Sequence, residues 1–96
     1  MIKVEDKSCL KLGDIIYFHS WGVGGFLFGI VTDSDEDEVF FDKLKIWRKG
    51  NSYRIDEIDE VELIKGINDV KEYALYDFEN IINNAKRENV YFNLED

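Results

Sequence analysis

Five carboxylates fall within six consecutive positions: Asp33, Asp35, Glu36, Asp37 and Glu38, with Ser34 between the first two. Clustered carboxylate oxygens are what a hard divalent cation takes as ligands, and Asp33, Asp35 and Asp37 have the 1, 3, 5 spacing of a helix-flanked calcium loop. Such a loop also needs glycine at its sixth position and a bidentate acid at its twelfth. Those positions hold Glu38 and Leu44, and Val39, Phe40 and Phe41 follow where a helix should begin. No metal site is expected. Two readings of the run remain. One is a solvated hairpin turn whose charges keep exposed strand edges from pairing. The other is an acidic patch that docks on a basic surface.

Three other groups carry potential chemistry. Cys9, His19 and an acid such as Asp14 can be assembled on paper into a nucleophilic triad, but no signature surrounds the cysteine and nothing orders the three. The glycine-rich stretch WGVGG, residues 21–25, is no phosphate cradle: it lacks the Gly-Lys-Ser/Thr ending, and no helix follows it. Tyr17, Trp21 and Trp47 are the remaining candidates. Exposed aromatics ringed by acids make a protein-binding hot spot for an Arg/Lys-rich partner. The competing reading is that a domain this small spends its large aromatics on its core. No catalytic residue, cofactor site or enzymatic activity is expected.

The whole chain supports a binding role. Its 96 residues carry 21 acids against 12 bases, a formal net charge of −9. That field repels nucleic acid and anionic lipid and attracts basic partners. Seven Phe, five Tyr and two Trp within a 45% apolar composition supply a real core, and a chain this long forms one domain that buries about 60–65% of its unfolded surface. The single cysteine allows no internal disulfide, which fits a reducing interior such as the cytoplasm. No apolar run suits a signal segment or a membrane span.

The elements that must position these residues fall into two regimes within a single domain, residues 1–96. Over residues 10–65 the apolar pattern has period two. It predicts strands at 14–20, 26–32, 38–49 (bent near Asp42 and Lys43), 52–58 and 60–66. In the first, Ile16 and Phe18 face one way and Ile15, Tyr17 and His19 the other. Over residues 69–89 the period becomes helical. Val70, Ala74, Phe78, Ile81, Ile82 and Ala85 form one apolar stripe, with Asp69 and Glu72 spaced as a capping box. The tail VYFNL is expected to add an edge strand or to lie across the mouth of a barrel.

Five short antiparallel strands suit a small, partly open barrel better than a two-sheet sandwich. The run Gly13-Asp14-Ile15-Ile16-Tyr17-Phe18, a glycine-containing loop, then Gly29-Ile30-Val31 resembles the opening of SH3-like small barrels. The likeness covers residues 12–32 and implies an α+β domain: an antiparallel SH3-like β-barrel followed by one amphipathic helix. The chain departs from the RNA-binding branch of those barrels in charge, since the turn that is basic there is acidic here.

Two function classes follow. The first is an acidic inhibitor or adaptor that occupies the basic, nucleic-acid-binding surface of a partner such as a nuclease, by charge mimicry. In size, acidity and lack of catalytic motif the chain resembles phage and mobile-element proteins that counter host nucleases, anti-CRISPR proteins among them, although no motif is shared. The second is an SH3-like peptide-binding or assembly module. Neither class touches nucleic acid or membrane directly, and nothing indicates a homo-oligomer.

Overall fold

The computed structural model describes residues 2–22, 24–32 and 44–95. Among these, six strands form one antiparallel sheet: β1 Ile2–Lys3, β2 Ile15–Ser20, β3 Phe26–Thr32, β4 Lys45–Arg48, β5 Asn51–Arg54 and β6 Ile58–Ile64. Their order is β1-β6-β2-β3-β4-β5. Strands β2 to β5 form a meander, and β6 returns to pair with β2 on its other side, Ile15 opposite Ile64. One helix, α1 Leu75–Arg87, follows the sheet. The class is α+β.

Both faces of the sheet are buried, as the alternation in β2 predicts. Ile16 and Phe18 join Val31, Ile46, Ile58 and Val61 in one cluster. Ile15, with Phe28, Ile30 and Ile64, joins Phe78, Ile82 and other helix residues in the second. The helix therefore covers only one face. The sheet curves over the other, where Leu10 and Val4 of the N-terminal segment also pack. Strands β2 and β5 are three strand spacings apart, which in a flat sheet is about 14 Å, yet the rings of Phe18 and Tyr53 lie 5.7 Å apart edge to face. Gly29 makes that curl possible. A side chain there would run into the Ile46 methyl and come within 2.8 Å of the Phe18 ring.

Several boundaries differ from the sequence reading, each for a local reason. The stretch read as a strand over 52–58 is strand only to Arg54, then a 3-10 turn, Ile55–Glu57. Ile55 and Ile58 both enter the concave cluster. A three-residue spacing achieves that through a 3-10 turn, whereas a strand would send them to opposite faces. The Lys7 ammonium pins this corner, donating to the carbonyls of Ile55 (3.0 Å) and Ile58 (2.8 Å). In β6 the register slips between Tyr17–Glu62 and His19–Asp59, adding one residue on the β6 side. Ile58 and Val61 consequently both point inward, and Glu60 takes a φ of 50°.

The helix begins at Leu75 rather than residue 69. Val70 and Ala74 are buried as expected but belong to a stretch of two 3-10 turns, Ile67–Asp69 and Glu72–Ala74. Asp69 does not cap α1. Its carboxylate turns back to accept from the backbone N–H of Lys65 (2.9 Å) and Gly66 (3.2 Å). The described tail, residues 90–95, forms no strand. Val90, Phe92 and Leu94 pack against the helix-side cluster, and Asn93 and Glu95 donate backbone bonds to Gly13 (2.5 Å) and Lys65 (2.6 Å). Glycine is required where the tail passes. A Cβ on Gly13 would lie 2.7 Å from the Tyr91 ring, and one on Gly66 2.6 Å from the Glu95 carbonyl.

Candidate protein-binding surface

Asp33, Asp35, Glu36, Asp37 and Glu38 lie outside the described residues, as does the first half of the strand read over 38–49. The two points that anchor the acidic run are described. Thr32 closes β3 opposite Lys45 of β4, and the Thr32 hydroxyl donates to the Lys45 carbonyl at 3.1 Å. The run thus leaves and re-enters the sheet at neighbouring residues of one strand pair.

A second acidic group stands next to this anchor. The Ile55 N–H donates to the Leu44 carbonyl at 3.1 Å. The 3-10 turn bearing Asp56 and Glu57 therefore starts beside the residue at which the chain returns. Asp56, Glu57, Asp59 and Glu60 are all exposed. The one ion pair seen among them, Arg54 to Asp56, is long at 3.9 Å and solvent-facing, a geometry that neutralises little. These four acids are not among the candidates that the sequence suggests, because they fall within or between the two strands expected over 52–58 and 60–66. Their signal is the spacing of Ile55, Ile58 and Val61 by three, which turns two residues outward after each one buried.

The three aromatic candidates do not come together. Tyr17 and Trp47 are half-buried on the helix-covered face. Tyr17 stacks on Phe26 at 5.0 Å and packs tilted against Phe28 at 4.7 Å. Burial, and then the neighbouring Tyr73, push its phenol pKa up. Trp47 pairs with Ile30 on the same face. Trp21 sits just past the end of β2 and is 79% exposed. It is the one of the three freely available to a partner.

The paper triad is not assembled. Asp14 and His19 lie along one extended segment, five residues or about 16 Å apart. Asp14 instead accepts from the Lys11 N–H at 2.8 Å, and His19 sits edge-on to Phe26. Cys9 is exposed in a 3-10 turn. Among the described residues no group of three His, Cys, Asp or Glu side chains is placed to hold a metal, and no helix is long and apolar enough to cross a membrane.

One concavity is not announced by any local spacing. A groove of ≈ 530 Å³ lies between α1 and the β3–β4 side of the sheet, with Phe26 and Phe28 from β3, Arg48 from the end of β4, Lys49 from the β4–β5 turn, and Asn84 and Arg87 from α1 among its walls. It gathers cations that lie far apart in sequence. The chain matches no protein-family model, no curated protein and no solved structure.

Proposed function

We propose that this chain is a small acidic inhibitor or adaptor, acting in the cytoplasm, that docks on the basic, nucleic-acid-binding surface of a partner protein. The observation that carries this reading is the exposed acidic turn of Asp56 and Glu57 beside Leu44, where the described chain resumes, on a chain whose net charge is −9. A chain of that charge, with exposed acids at this turn, is suited to a groove built to hold phosphates and occupies it in place of nucleic acid. Such a role resembles that of phage and mobile-element proteins that counter host nucleases, anti-CRISPR proteins among them.

An SH3-like barrel is the fold we infer for the curled sheet. The meander β2–β5, the return of β6 beside β2 and the ring contact between β2 and β5 support it. The peptide-binding alternative expected of such a barrel draws on Trp21, whose 79% exposure suits an anchor. Tyr17 and Trp47, packed under the helix-side cluster, contribute less to that reading.

Affinity capture from a lysate of the source cell or its phage host tests the docking proposal. The bait is the full chain, run beside a variant with Asp35, Asp37 and Glu38 changed to Asn, Gln or both. The expected result is a basic nucleic-acid-binding protein held by the wild type, released as salt rises and lost with the variant. Equal capture by both baits would overturn the proposal, as would retention that salt does not change.

A further inference from the structure

We propose that the groove between α1 and the β3–β4 side binds a small ring-bearing phosphate, of the nucleoside monophosphate class. This inference is independent of the docking surface and uses none of its residues.

The groove reverses the local sign of an acidic molecule. Arg48, Lys49 and Arg87 line it, and among the described residues none of the three makes an ion pair or a side-chain hydrogen bond. Unpaired guanidinium groups converging on one concavity are suited to a phosphate, whose oxygens accept two parallel N–H bonds from each fork.

The amides supply the second observation. Asn84 is only 8% exposed and lines the groove. No protein group among the described residues hydrogen-bonds its side chain. Since no fully buried side-chain polar atom among the described residues lacks a partner, the Asn84 amide is open to the groove, where it can bond a ligand in place of water. Asn80 and Asn83 stand beside it on the same wall. A carboxamide presents a donor and an acceptor together, the pairing that matches the edge of a nucleobase.

Aromatic surface completes the site. Phe26 stacks on Tyr17 yet remains 40% exposed, and Tyr76 is 74% exposed. Both line the groove and offer faces for a planar ring. Asp77, the one acid among the lining residues, accepts from a sugar hydroxyl or an exocyclic amine. The volume of ≈ 530 Å³ lies within the range of about 300–1,000 Å³ usual for small-ligand sites. A longer strand would place further phosphates in the repulsive field of a chain with net charge −9, so a single nucleotide is the better fit.

Calorimetric titration of the full chain with adenosine monophosphate tests this, with adenosine, inorganic phosphate and a short oligonucleotide as separate arms. Saturable binding of the monophosphate is expected, with Kd on the order of 1 mM or tighter, and weaker binding of adenosine and of phosphate alone. Arg48→Gln and Arg87→Gln should each weaken it roughly tenfold, the effect of one lost charge-assisted hydrogen bond. Asn84→Leu should also weaken binding, because it removes an amide open to the groove. Side-chain amide resonances of Asn80, Asn83 and Asn84 in the wild type should shift with the monophosphate, a readout that needs no variant to fold. Absence of heat and of shifts at several millimolar would overturn the proposal. So would variants that bind as the wild type does, adenosine binding as tightly as its phosphate, or an oligonucleotide binding far more tightly than the monophosphate.

Discussion

Gly29 carries more of the fold than its size suggests. It faces the concave side of β3, where the Ile46 methyl and the Phe18 ring close over it. Gly29→Ala would insert a methyl into that contact, and overpacking of this kind costs about 1–3 kcal/mol. Urea denaturation measures it; a loss below about 0.5 kcal/mol would mean that the concave face is not closed there. Asp69 acts through charge. Its carboxylate accepts two backbone N–H groups, that of Lys65 foremost, which holds its pKa below the ordinary value of 3.8. A carboxylate with a depressed folded-state pKa stabilises the protein above its unfolded value, and the stabilisation is lost as pH falls through the folded value. The Tm difference between the wild type and Asp69→Ala should therefore be full at neutral pH, persist to about pH 3.8 and shrink below it. A difference constant across that window would refute the capping role.

At the scale of elements, α1 holds the sheet through its buried stripe. Phe78 is 2% exposed and meets Phe28 edge-on at 5.5 Å. Phe78→Ala should cost about 3–5 kcal/mol, read from the same denaturation curves; under about 1 kcal/mol would mean that the helix does not depend on that contact. The tail is a second clamp. Removing residues 90–96 takes away three packed apolar side chains and the bonds to Gly13 and Lys65. We expect a loss of more than about 2 kcal/mol, and an unchanged midpoint would refute the clamp. Strand β3 was legible to the residue, and so were the two faces of β2, because a short run of β-branched and aromatic residues between glycines and acids leaves little choice. The start of α1 was not legible. The 3-10 turns before it bury Val70 and Ala74 at a spacing that a helix also satisfies. The corner at Ile55 was hidden in the same way, because its three-residue period reads as strand wherever the polar residues between are also strand-compatible.

Over the whole molecule, a net charge of −9 coexists with a groove lined by Arg48, Lys49 and Arg87. Local density makes the acidic run plain in the sequence, although its shape lies outside the described residues. The cationic groove is not readable that way, since Arg48 and Arg87 meet only after the helix packs back on the sheet. Docking on a basic partner is the central claim. Exposed charges act over a Debye length of about 8–10 Å near physiological salt and mainly govern how fast partners meet. The direct test is stopped-flow association of the full chain with the protein recovered by affinity capture, from low to physiological salt. The account predicts that the association rate falls steeply with salt. Neutralising Asp35, Asp37 and Glu38 should slow association far more than it speeds dissociation, while Trp21→Ala should act chiefly on dissociation. Association rates that are the same for wild type and triple variant at every salt concentration would contradict it.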